Sequence, residues 1–276
     1  MIDDRGRAME RADQLSCTIA HCVADRPPGT VFAAAYSAIA GVRLAQERLG
    51  CRASLCGRGG AYDPAGILSL HARHWLFNRR PRAYIGLVEV FDTLSEPHLL
   101  LATPGQVDGA GHANLSAIGP HDRPKVAFGG TRGLPDGRAI HFVMPAHDAR
   151  SLVERVDFVS TSAASRAEPG LLITELGVMR WNATAGCWRL EALAPGVECD
   201  TVVARTGFRF EIASTPRRLD PPSAEELATL AAVDPLGLRQ LDFVTDRRRL
   251  LDLIAEIYER EVALVGQAVV PVFRGA

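Results

Sequence analysis

Short apolar runs alternate with amphipathic stretches along most of the chain, and the alternation carries the first structural reading. Residues 16–24 mix small and apolar positions as a short helix would, and residues 30–32 read as a brief strand. Over residues 38–49, Ile39, Val42, Leu44, Ala45 and Leu49 recur at helical spacing, with Gly50 placed as a C-terminal cap. Residues 53–56 form a buried-strand pattern that runs into the glycine-rich turn Gly57-Arg58-Gly59-Gly60. Further strand patterns occupy residues 84–90, 99–102, 114–118, 141–144, 156–159 and 171–174, and helical patterns occupy 148–153 and 223–233. Strands alternating with helices predict an α/β fold: an open, mainly parallel sheet with helices on both faces.

Around this core the chain divides into a polar lead-in at residues 1–15, a main domain at 16–239 and a C-terminal helical extension at 240–276. In the extension Leu250, Ile254, Ile257 and Tyr258 share one helical face.

Composition narrows the function classes. The 276 residues are 47% hydrophobic and 23% charged, the balance of a globular protein. A formal net charge of -1 removes the broad attraction that nucleic acids require. The early acids of the N-terminus and the lack of a long apolar run argue against a signal peptide or a membrane span, so the cytoplasm is the expected location. Cys17, Cys22, Cys51, Cys56, Cys187 and Cys199 show no CxxC spacing, which excludes a zinc ribbon and gives no sign of a disulfide framework. His71 and His74 stand three apart, but no third ligand accompanies them, so no metal site is expected. There is neither a GxSxG elbow nor a Walker A lysine.

Two glycine-rich segments hold the candidate chemistry. Gly105-Gln106-Val107-Asp108-Gly109-Ala110-Gly111-His112-Ala113-Asn114 is a competent turn, since glycine accepts positive φ and aspartate bonds its own backbone. Phe128-Gly129-Gly130-Thr131-Arg132-Gly133-Leu134-Pro135 continues an apolar run into a glycine-rich connection, where closely approaching backbone N–H groups can cradle an anionic group.

Over residues 31–239 the chain resembles the β subunits of family I CoA-transferases, the glutaconate CoA-transferase group, together with the related steroid-ring-opening acyl-CoA hydrolases. The two glycine-rich segments carry the resemblance, and 156–159, 175–178, 195–197, 206–208 and 234–237 follow in the family's order. The Arg-Gly-x-Pro form of the second segment is most similar to the hydrolases, and His112 departs from the family's asparagine.

The resemblance implies an acyl-CoA substrate, with coenzyme A as a substrate moiety and no permanently bound cofactor, and an α-type partner subunit. It also implies that Gly59, Gly60, Gln106, Asp108, Gly111, His112, Asn114, Gly129, Gly130, Arg132 and Gly133 shape the substrate site.

The family's nucleophilic glutamate is missing. Ungapped, Arg58 stands in its place, and a guanidinium stays protonated and cannot attack a carbonyl. With a two-residue insertion Cys56 falls there, as in a decarboxylase branch of the family. Three functions therefore stay open. One is a two-subunit CoA-transferase-like enzyme, transferring CoA or opening a ring, whose carboxylate comes from the α subunit. The others are a decarboxylase subunit using Cys56 and a non-catalytic scaffold or binding subunit.

Overall fold

The computed structural model describes residues 4–57, 60–70, 76–85, 99–120, 122–128 and 139–273. In chain order the elements are α1 (Asp4–Val23), β1 (Thr30–Ala33), α2 (Tyr36–Arg48), β2 (Ser54–Cys56), β3 (Ala61–Tyr62), β4 (Ala83–Tyr84), β5 (Leu99–Ala102), β6 (Gln106–Asp108), β7 (His112–Asn114), β8 (Ala117–Ile118) and β9 (Val126–Ala127). Then come β10 (Ala139–Met144), β11 (Leu152–Val153), β12 (Thr161–Ser162), β13 (Leu171–Thr174), β14 (Gly177–Asn182), β15 (Cys187–Leu193), α3 (Cys199–Arg205), β16 (Glu211–Arg218), α4 (Ala224–Val233), a 3-10 helix (Leu238–Phe243) and α5 (Arg247–Phe273).

Among the described residues one ten-stranded sheet dominates, in the order β16-β15-β14-β13-β10-β5-β1-β2-β3-β4. Its centre, from β13 to β2, is parallel throughout. Antiparallel pairs flank that centre on both sides. The central strands are largely buried on both faces, and their side chains alternate between two layers. Val31, Leu99, Leu101, Val143 and Ile173 face α1, α2, α4, the 3-10 helix and α5. Leu100, Ile140, Phe142, Met144 and Leu172 face a four-stranded sheet, β11-β6-β7-β12, and the short helix α3. Helices thus contribute to both faces, but unequally.

Local departures from the expected elements have physical causes. The first helix begins at Asp4 rather than Ser16, because Ala8, Ala12 and Leu15 fall on its buried face and dock in the core. Residues 148–153 are not helical: Asp148 Oδ1 accepts the N–H groups of Arg150 and Ser151, folding a turn from which β11 leaves. Residues 156–159 form no strand, because the N–H groups of Val156 and Asp157 donate to the side chains of Asp108 and Gln106 instead of to a ladder. Within 114–118, Asn114 Oδ1 accepts from Ser116 and Ala117 and breaks the run into β7 and β8. Of residues 84–90, Tyr84 ends β4, Ile85 follows it without strand structure, and 86–90 lie outside the described residues.

Helix α5 turns Leu253, Ile257 and Glu261 inward, whereas Tyr258 is 61% exposed and is not part of that face. Glu261 Oε2 accepts the Leu70 N–H at 3.3 Å, and its other oxygen bonds Ser69 Oγ, which ties α5 to the loop after β3. No described helix is long and apolar enough to cross a membrane.

Candidate functional site

The order of the parallel strands reverses at β1: the chain passes through α2 to β2 on one side and later returns to β5 on the other. Open α/β sheets hold ligands at such a point, outside the carboxyl ends of the strands. Here that edge carries the end of β1 with the first turn of α2, the turn after β2, and the loop that links β5 to β6. Since β2 and β5 both pair with β1, their ends stand two strand spacings apart, roughly 10 Å.

After β2 the chain pairs back antiparallel in β3. Gly57 N–H donates to Ala61 O at 3.1 Å and Gly60 N–H to Gly57 O at 3.0 Å, with Gly60 at φ +82°. Arg58 and Gly59 lie outside the described residues. Cys56, opposite Tyr62 in this pairing, is fully buried. Burial pushes its thiol up, against a smaller lowering by a hydrogen bond with Tyr62, so the thiolate is disfavoured.

The residues of the 105–114 segment are brought together as a polar network. Asp108 is almost wholly buried, and its Oδ1 accepts the N–H groups of Ala110 and His112, each at 3.0 Å. Its Oδ2 lies 3.2 Å from His112 Nδ1 and accepts Val156 N–H at 3.3 Å. Asn114 Nδ2 donates to Gln106 Oε1 at 2.8 Å, and Gln106 Nε2 donates to Asp157 Oδ2 at 3.2 Å. Trp188 Nε1 donates to Asp108 O at 2.9 Å, anchoring the loop on a Phe142–Trp188–Trp181 aromatic cluster. Gly111 is required twice over: its φ is +79°, and a Cβ would approach the Trp181 ring to 2.9 Å.

Phe128 leads into the second glycine-rich segment, and its ring occupies the place of a Gly105 side chain, only 2.2 Å from where a Cβ would stand. The first segment and the start of the second are therefore in contact. Gly129, Gly130, Arg132 and Gly133 themselves lie outside the described residues, as do His71 and His74.

Three features of this edge carried no assigned role in the sequence reading. The Ser37 N–H, in the first turn of α2, donates to Asp242 Oδ2 at 2.8 Å, so this helix N-terminus already holds a carboxylate of its own chain. Buried His147 bridges Thr174 and Thr206, each at 2.8 Å, and burial lowers its pKa to about 4, leaving it neutral. Asp157 joins the Gln106–Asn114 network to a surface hollow of about 260 Å³ lined by Ser116, Ala117, Gly119, Asp157 and Phe158. Asp157 lies in one of the ordered motifs; His147 and Asp242 had no motif to mark them.

The fold and edge define an open α/β protein with a buried polar loop near its strand-order reversal. No family model matches the chain. It is 30% identical over 166 residues to the cholesterol ring-cleaving hydrolase IpdB subunit of Mycobacterium tuberculosis, a match covering 54% of this chain and 66% of that one. It is 27% identical over 144 residues to the 3-oxoadipate CoA-transferase B subunit of Pseudomonas knackmussii, covering 47% and 55%. Among solved structures, the decarboxylase AibA/AibB matches with a TM-score of 0.71 and 24% identity, over 83% of this chain and 96% of that one. The chain is accordingly a homologue of the B subunits of CoA-transferase-like enzymes, matched over somewhat less than two thirds of the length of its curated relatives.

Proposed function

We propose that this chain is the B-type subunit of a two-subunit enzyme acting on a CoA thioester, by CoA transfer or ring-opening hydrolysis, with the reacting carboxylate supplied by an α-type partner. The contact between Gly105 and Phe128 carries the reading, because it joins the two glycine-rich segments beside the strand reversal. Gln106, Asp108 and Asn114 are consumed by bonds within the chain, so their part is to hold the loop backbone in place rather than to react. His112, partly exposed beside Asp108, borders the site. Arg132 and the backbone N–H groups of Gly129, Gly130 and Gly133 would meet the thioester or the CoA phosphates. Gly59 and Gly60 would form the wall on the β2 side.

Hydrolysis is favoured over transfer, since Arg58 cannot form an acyl anhydride, and decarboxylation through Cys56 is disfavoured because that thiol is buried and its pKa raised. The test is co-expression with an α-type homologue, followed by assays of both reactions on purified material. A stable hetero-oligomer that cleaves a CoA-linked ring, with neither chain active alone, is the expected result. Transfer by this chain alone, through a hydroxylamine-sensitive enzyme thioester, would overturn it.

A further inference from the structure

The hollow beside Asp157 is separate from every residue assigned above to the reacting end of the site, although the network reaches it. Asp157 is held from two directions: its N–H donates to Gln106 Oε1 at 3.1 Å, while its Oδ2 accepts from Gln106 Nε2 at 3.2 Å and from Gly119 N–H at 2.8 Å. All these bonds leave Oδ1 without a partner among the described residues, on a side chain that lines the hollow. An immobilised carboxylate oxygen only accepts hydrogen bonds, so it selects a donor. Its charge repels phosphate. Apolar lining is added by Ala117 and a Phe158 that is 41% exposed.

A neutral chain with N–H donors and methylene groups satisfies both linings. On the reading proposed above, on which this inference rests, a CoA thioester offers that chemistry in its amide-bearing pantetheine arm, and not in its anionic nucleotide end. We infer that Asp157, with Ser116, Ala117, Gly119 and Phe158, seats the pantetheine arm of the CoA thioester, an amide N–H donating to Asp157 Oδ1.

The substitution Asp157→Asn separates the two tasks of this side chain. An amide keeps one oxygen for Gln106 and Gly119 and presents an NH2 on its other side, so the loop stays anchored while an acceptor becomes a donor. Binding of coenzyme A, pantetheine and adenosine 3′,5′-bisphosphate to the full chain with its partner subunit is measured by calorimetry and ligand-observed NMR. For Asp157→Asn the Kd of coenzyme A and of pantetheine should rise about tenfold, the loss of one charge-assisted bond, with no change for adenosine 3′,5′-bisphosphate. Ala117→Leu, which fills the hollow with a side chain while the backbone bonds of Ala117 to Asn114 are kept, should give the same selective loss. Unchanged pantetheine affinity in both variants overturns the seat and leaves the CoA-thioester function standing. Equal weakening of both fragments reduces Asp157 to a loop anchor and also overturns it. A parent protein that binds no coenzyme A overturns the proposed function and this inference together.

Discussion

On one side of the central sheet Leu15, Ile19, Val42 and Leu44 interlock at full burial, and the cover is made by helices whose own backbones are satisfied internally. On the other side an aromatic floor of Phe142, Trp181 and Trp188 is roofed by short strands and loops. Two-residue and three-residue strands cannot satisfy their own backbones, so buried side chains do it for them: Asp108 takes N–H groups from Ala110, His112 and Val156, and Asn114 takes those of Ser116 and Ala117. The helical cover tolerates any apolar side chain of suitable volume. The polar roof depends on particular acceptors, and the proposed substrate loops hang from it.

Removing one acceptor is the strongest way to break this contrast. Asp108→Ala leaves three N–H groups unpaired next to the core, and each orphaned donor costs on the order of 1–3 kcal/mol. A loss of about 4 kcal/mol in urea unfolding is expected, as large as a severe cavity in the helical cover. A loss below about 1 kcal/mol would mean that water replaces the carboxylate and that the roof is held by packing after all.

Acid gives the next largest effect and also discriminates between the covers. His147 has a folded pKa of about 4 against an ordinary 6.5, caused by burial and then by Arg205. Between these values the unfolded chain binds the extra proton, so its contribution to stability is complete above about pH 6.5 and is lost as the pH falls towards 4. The linkage amounts to about 3 kcal/mol. His141, buried in β10 and also lowered to about 4, adds in the same direction. Stability measured from pH 7 to 4.5 should therefore fall. His147→Gln should flatten the part of the slope that belongs to the roof, and an unaltered slope would assign the effect to His141 alone.

The same contrast explains what could be read from the sequence. The helix at α2 and the strands β1, β2, β5, β10 and β13 follow from period and burial, because helical spacing and short apolar runs are the cause of their structure. Residues 148–153 and 156–159 look like regular elements and are not, since Asp148, Asp108 and Gln106 capture their N–H groups, and those captures depend on distant partners. Gly105, Gln106, Asp108, Gly111 and Asn114 were visible as a motif. Their arrangement as a roof anchor was not, nor was the acceptor role of Asp157 within its motif. Tyr258 was misplaced for a related reason: the apolar arc of α5 is wider than the face its own domain covers.

The smallest expected effect tests whether the covers are independent. Helix α4 begins with a reciprocal capping box, in which Ser223 Oγ accepts Glu226 N–H at 3.2 Å and the Glu226 carboxylate accepts Ser223 N–H at 2.8 Å. Glu226 also meets His21 of α1 at 2.8 Å, and although burial opposes it, these bonds hold its pKa below the ordinary value. Ser223→Ala removes one cap acceptor from a helical end that water reaches, at a cost of about 1 kcal/mol. Because α4 packs through Leu230 and Val233 into the helical cover, the loss should lower the hydrogen-exchange protection of residues 224–233. Amides of residues 108–118 should exchange as before, and coenzyme A should bind unchanged. Faster exchange at His112 or Ala117 would show that the two covers open together, and the sheet would then transmit strain from the capped helix to the loops that are proposed to hold the substrate.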